Sequence, residues 1–168
     1  MVKRLICVLI IFLSMESCFN YYYIKEDEDK ERILNPGLFS FNQKMSLENS
    51  KIIDTTCLYL QLLPYNSSIS EKENPGIMIF HNDGTYESRS KKYFNISYKK
   101  SSVYYGGKFI LDGNTLKIQS FYPSSGGKTN YFDRVICQGK INNDTVVIKI
   151  FNHNRVFLKK RYEDVFGK

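Results

Sequence analysis

From Asp54 onward, apolar and polar positions alternate. Leu58, Leu60 and Leu62 are separated by Tyr59 and Gln61, Leu116 and Ile118 by Lys117, and Val146, Ile148 and Ile150 flank Val147 and Lys149. A period of two is that of a strand burying one face. Turn sequences stand between these runs: Asn82-Asp83-Gly84, Asp112-Gly113-Asn114, Asn142-Asn143-Asp144 and Asn152-His153-Asn154. Gly, Asn and Asp tolerate the positive φ of tight hairpins. The pattern predicts strands at roughly 54–63, 77–82, 85–90, 93–99, 103–111, 115–122, 129–141, 145–151 and 155–160. No long window has a helical period. The expected class is all-β, an antiparallel up-and-down meander of 8–9 strands, closed into a barrel because closure removes exposed edges. Alternation predicts that Leu58, Leu60, Leu62, Leu116, Ile118, Val146, Ile148, Ile150, Val156 and Leu158 point inward.

The N-terminal residues follow another pattern. Lys3 and Arg4 precede the apolar run Leu5–Leu13, which is too short to cross a hydrocarbon core of ~30 Å as a helix and reads as an export signal. The run ends at Met15-Glu16-Ser17-Cys18. Met15, Ser17 and Cys18 resemble the lipobox of bacterial lipoproteins, with Glu16 departing from it. That resemblance implies acylation of Cys18 and removal of residues 1–17. Residues 19 to about 50 have no sustained period and contain the loop signal Asn35-Pro36-Gly37. The expected organisation is a signal peptide over 1–17, a lipidated N-terminus and flexible tether over 18–50, and a β-barrel domain over 51–168. A tether of ~30 residues has a span on the order of 30 Å, enough to hold a domain clear of lipid headgroups.

Composition supports this reading and adds a charge asymmetry. The 168 residues are 42% hydrophobic and 15% aromatic, with 13 Tyr, 12 Phe and no Trp, a bias that suits half-buried strands. The formal net charge is +7. Residues 51–168 carry 18 Lys and Arg against 10 Asp and Glu, whereas residues 18–50 carry 4 against 6. A basic domain beyond an acidic segment can attract anionic partners. The acidic cluster Glu26-Asp27-Glu28-Asp29 also resembles the surface-export signal of some Gram-negative lipoproteins, leaving open whether the protein faces the periplasm or the exterior.

Residues 88–105, SRSKKYFNISYKKSSVYY, interleave cations with aromatics. Lys91, Lys92, Tyr93, Tyr98, Lys99 and Lys100 form the candidate binding surface, for a carbohydrate ahead of a nucleic acid, since basic aromatic grooves hold polymers by stacking. Cys57 and Cys137 remain once Cys7 is removed and Cys18 acylated, and are a candidate disulfide in an oxidising compartment. His81 and His153, the other metal-ligand types, are dispersed without the short spacing of a zinc site. Ser124-Ser125-Gly126-Gly127-Lys128-Thr129 lacks the earlier Gly and the following helix of a phosphate loop. No constellation for nucleophilic or acid–base catalysis stands out, so no enzyme, cofactor or metal is expected.

Phe80-His81-Asn82-Asp83-Gly84-Thr85-Tyr86, Leu111-Asp112-Gly113-Asn114-Thr115-Leu116, Asn143-Asp144-Thr145-Val146 and Arg155-Val156-Phe157-Leu158 resemble the small lipocalin-like lipoproteins of Gram-negative bacteria. The Gly-x-Trp motif of true lipocalins is lacking. The resemblance implies an up-and-down barrel with a cup-like interior. Expected, therefore, is a non-enzymatic lipoprotein anchored by lipid to the outer membrane of the cell envelope. It would bind a small apolar or amphipathic ligand or act as an accessory interaction module. A barrel-mouth enzyme and a basic-surface binder of anionic or carbohydrate polymer are the alternatives.

Overall fold

The computed structural model describes residues 21–150 and 152–167. Three short strands, β1 (Tyr21–Tyr23), β2 (Lys25–Glu26) and β3 (Arg32–Ile33), precede eight that build a barrel. These are β4 (Leu58–Leu62), β5 (Gly76–Phe80), β6 (Thr85–Ser90), β7 (Gly106–Asp112), β8 (Thr115–Pro123), β9 (Tyr131–Asn142), β10 (Thr145–Ile150) and β11 (His153–Lys160). Each pairs antiparallel with its sequence neighbour, and β11 returns to β4, through Val156↔Leu62 to Lys160↔Leu58. The meander is therefore closed, and β1 adds a ninth strand on β9. Helices are short: α1 (Ile69–Glu73), capped by Ser68, and α2 (Tyr162–Phe166).

The hairpins form where the turn chemistry stands. Two residues, Gly113 and Asn114, join β7 to β8, and Asn143 and Asp144 join β9 to β10, with positive φ at Gly113 (52°) and Asn143 (51°). One expected strand does not form. Residues 91–93 make a 3-10 turn, and the chain then loops to β7, because Arg89 donates to the carbonyls of Phe94 and Ile96 and folds the segment back on itself.

Side chains fill the interior. Ile53, Tyr59, Met78, Phe80, Tyr86, Phe109, Leu111, Leu116, Ile118, Cys137, Ile141, Val146, Ile148, Ile150 and Phe157 make one buried cluster. Phe80 lies at its centre, edge-on to Phe109 and Tyr59 at centroid separations of 5.0 and 5.4 Å. Edge-to-face packing of this kind joins dispersion to quadrupole attraction. Leu116, Ile118, Val146, Ile148 and Ile150 belong to this cluster as the alternation predicts.

Two strands have the opposite phase. In β4 it is Tyr59 that joins the interior, while Leu58 and Leu60 pack outside with Ile77, Val165 and Phe166, and Leu62 is exposed. In β11 Phe157 is inside, and Val156 and Leu158 are half-buried. Over β4, α2 covers the outer wall of the barrel, so that strand has apolar residues on both faces, and in β11 too apolar residues stand on both faces, so periodicity alone assigns no inside.

The segment expected as a flexible tether is, from Tyr21 to Met45, packed along the barrel. Ile24 and Leu34 are buried with Val103, Phe121 and Phe132 in a cluster on the outer face of β8 and β9. Leu34 N donates to Ser101 O at 2.7 Å, and Met45 N to Asn82 O at 3.1 Å. Gln119, with no exposed surface, accepts at Oε1 from Ser40 N, Ser40 Oγ and Phe41 N at 3.0, 3.0 and 3.2 Å. Such a strap shows no period because it is neither helix nor long strand; a few apolar anchors and one buried amide hold it. Its Ile53 extension, with Ile52 and Met45 beside it, joins the interior cluster.

Candidate functional site

The candidate site is built on the outer wall formed by β6 and the loop 91–105. Strand alternation turns Tyr86 into the barrel and leaves Glu87 and Arg89 outside. The Glu87 carboxylate is met from three sides. His81 Nε2 lies 3.1 Å from its Oε1, the Tyr105 hydroxyl donates to the same oxygen at 3.0 Å, and Arg89 ion-pairs with Oε2. An ionised carboxylate only accepts, so the histidine nitrogen facing it carries the proton. The hydrogen bond from His81, opposed by desolvation and reinforced by Tyr105 and Arg89, holds Glu87 below its ordinary pKa. Burial, with the Glu87 charge next to it, pushes the Tyr105 phenol up. Both oxygens of the Glu87 carboxylate are engaged, and the cluster clamps the loop to the wall.

Above this clamp the loop leaves a cleft of about 320 Å³, lined by Ser88, Arg89, Ser90, Tyr93, Ile96, Tyr98 and Tyr104. Tyr98 and Tyr104 stand 6.0 Å apart, tilted by 43°, and the Arg89 guanidinium lies 5.8 Å from the Tyr98 ring centre. Tyr93 and Tyr104 are half exposed. Tyrosine faces and one guanidinium are the components of a site for a flat, hydroxylated ligand.

The six surface residues singled out by sequence do not form one basic patch. Tyr93 and Tyr98 share the cleft. Lys91 and Lys92 line a neighbouring depression with Ser70, Glu73, Asn74, Asn95 and Phe166. Lys99 is bound by Asp27 and Asp29 at 2.6 and 2.7 Å, and Lys100 by Asp83 at 2.6 Å. The acidic cluster of the N-terminal segment thus neutralises Lys99, and the β5–β6 turn neutralises Lys100. Sequence reading missed Ser88, Ser90 and Ile96 as cleft residues; the strand-to-loop break that brings them together is set by Arg89, whose backbone contacts leave no sequence signal.

Cys57 and Cys137 are both free thiols, not a disulfide. Cys137 lies in the interior cluster, while Cys57 is half-buried before β4, next to Thr56. Desolvation raises the pKa of both. Cys18 lies outside the described residues, as do residues 1–17, for which the sequence predicts an export signal. Among the described residues no helix is long and apolar enough to cross a membrane, and no group of His, Cys, Asp and Glu is arranged to hold a metal ion.

At the opposite end of the barrel, a groove of about 480 Å³ is bordered by Lys51, Asp54, Asn114, Asn143, Asp144 and Lys159. Lys159 reaches Asp144 at 2.6 Å and Asp54 at 4.0 Å, so the carboxylates that could have acted as an acid–base pair share one cation. Comparison with known protein families, curated proteins and solved structures finds no match for this chain.

Proposed function

We propose that this chain is a lipocalin-like lipoprotein of the cell envelope, anchored to the outer membrane through Cys18, that acts without catalysis as an interaction module. Binding takes place on its outer wall and not in its lumen. The observation that carries this reading is the contrast between a barrel interior packed with Tyr59, Phe80, Tyr86, Phe109 and Phe157 and an open, tyrosine-lined cleft at Arg89. A packed interior has no room for the small apolar ligand that a cup-like barrel would take.

The ligand that fits is a neutral sugar ring of a glycan. Tyrosine faces stack on the apolar face of a pyranose, and the Arg89 guanidinium stands beside the Tyr98 ring. An anionic polymer is less well matched, because Lys99 and Lys100 are ion-paired and Arg89 is engaged by Glu87 and two carbonyls.

Two measurements test the proposal. Cys18→Ser, made in a Gram-negative host, is expected to lose fatty-acid labelling and leave the membrane fraction; unchanged labelling defeats the anchor. For binding, neutral oligosaccharides are expected to raise Tm by mass action, equally at about 50 and 500 mM salt because no exposed charge is screened. Tyr93→Ser with Tyr104→Ser is expected to abolish the rise. A steep loss with salt would instead favour the lysines.

A further inference from the structure

β1 begins three residues after Cys18. Consecutive Cα atoms are about 3.8 Å apart, so Cys18 lies within about 11 Å of Tyr21 whatever path the chain takes. Tyr21 is itself in register with Asp133 of the sheet, with Tyr22 on Phe132 and Tyr23 on Tyr131. Ile24 N then donates to Asn130 O at 2.8 Å, and Ile24 is buried. An acyl chain on Cys18 would therefore place the bilayer directly against this edge of the protein, with only Phe19 and Asn20 between them.

The edge has the right chemistry for that position. Paired residues in antiparallel strands point to the same side, and alternate residues share a face. Tyr122 pairs with Asp133 on the other side of β9. Tyr21, Tyr23, Tyr122, Tyr131 and Asp133 therefore share one face, which continues that of Leu116, Ile118 and Ser120 inside the barrel. The latter three are no more than 6% exposed, whereas the four tyrosines are 44, 58, 39 and 49% exposed, because the ribbon of β1, β8 and β9 outruns the barrel body. Tyr23 and Tyr131 are in edge contact at 5.5 Å. Lys128 is exposed in the β8–β9 loop, whereas Arg134, whose guanidinium lies 5.4 Å from the Tyr22 ring centre, stands on the other face of the ribbon. Tyrosine has an apolar body and a polar tip, and it partitions to the headgroup layer of a bilayer. The acidic run beyond β1 does not oppose contact with anionic headgroups in full, since Glu26 is paired with Arg32 and Asp27 and Asp29 with Lys99.

We propose that the tyrosine face of Tyr21, Tyr23, Tyr122 and Tyr131 rests on the phospholipid headgroup layer, so that the barrel is seated on the membrane and not suspended above it. This rests on the acylation of Cys18 proposed above. The orientation follows: the end of the barrel with the β8–β9 connection faces the bilayer, and the groove of Lys51, Asp54 and Lys159 faces away.

The chain has no Trp, so one substitution supplies a unique emitter. Tyr131→Trp tests the face, and Tyr162→Trp, on α2 across the barrel, is the reference. Each full-length variant is made in a Gram-negative host and reconstituted into vesicles of phosphatidylethanolamine and phosphatidylglycerol, with or without lipid brominated near the headgroup. The emitter at position 131 is expected to be quenched at least about twofold more than that at 162, with blue-shifted emission, as for an aromatic in the interface. A Gly/Ser spacer inserted between Asn20 and Tyr21 should leave quenching at 131 largely in place, since the face itself favours the surface. Equal quenching at both positions, on a chain whose N-terminal peptide has the mass of the acylated form, overturns this inference alone. A chain without the acyl mass overturns the anchor and this inference with it.

Discussion

Gln119 points away from the barrel interior, yet it is fully buried beneath the N-terminal strap, where its carbonyl oxygen takes three hydrogen bonds. Removing the acceptor leaves two part-buried backbone N–H groups, of Ser40 and Phe41, without that partner, at up to about 1–3 kcal/mol for each such group. Gln119→Ala is expected to release residues 38–45 ahead of global unfolding. Hydrogen exchange at Ser40 and Phe41 should accelerate by at least about tenfold, which corresponds to about 1.4 kcal/mol, while β9 and β10 amides hold their rates. At Asp83, burial alone would raise the pKa, but the bonds from Lys100 Nζ and from Thr85 Oγ1 and N outweigh it and hold the group at about 2. A folded-state pKa below the unfolded one contributes stability that is complete above the unfolded value, about 3.9, and is lost as pH falls towards 2. Glu87 is depressed as well and acts in the same direction. Tm is therefore expected to fall from pH 5 to pH 2, and Asp83→Asn to lower Tm at pH 7 and converge on the parent at the acid end. Parallel curves would remove Asp83 from the account.

The elements meet tightly where β9 pairs with β10. Gly139 faces the interior opposite Leu116 and Ile148, and a Cβ there would fall inside contact distance of the Val147 carbonyl oxygen and against Ile148. Its φ is not the issue; the neighbouring backbone is too close for any side chain. Gly139→Ala must therefore spread the β9–β10 pair or bend β9, and a destabilisation of several kcal/mol is expected on the scale of core overpacking, about 1–3 kcal/mol or more. Denaturant unfolding checks this: the midpoint should fall with m unchanged, and a shift under about 0.5 kcal/mol would show that the ladder accommodates the methyl. Gly113→Ala, with nothing within 4 Å of its added Cβ but φ at 52°, separates strain from crowding.

For the whole molecule, the decisive feature is that eight strands enclose aromatic side chains and not space. An apolar dye such as a naphthalene sulfonate is expected to stay dim with the native protein at pH 7 and to brighten only as packing is lost at acid pH, the behaviour of an exposed loosened core. Strong native-state emission would show that the interior opens. Two smaller apolar clusters, under the N-terminal strap and under α2, lie on the outer walls, so the barrel is covered on both faces over much of β4, β8 and β9. That covering explains why an eight-stranded barrel of modest size has so few large exposed apolar side chains outside the tyrosines.

What the sequence determined by itself was the closed antiparallel meander and nearly all of its strands. Short-range physics suffices there: a period of two, with Gly or Asn at each tight turn, specifies hairpins locally, and consecutive hairpins leave few other topologies. Leu116, Ile118, Val146, Ile148 and Ile150 were placed correctly because the opposite face of those strands is polar or thinly covered. Tertiary structure alone decided the rest. The phase of β4 depended on α2, a helix far along the chain from it. The packing of residues 21–45 depended on Gln119, an ordinary polar residue in a strand until its long-range partners appear. Lys99 and Lys100 looked like a free basic surface, but Asp27, Asp29 and Asp83 lie 72, 70 and 17 positions away and neutralise them. Contacts across such separations leave no period in a single sequence, because each depends on the whole chain having already closed.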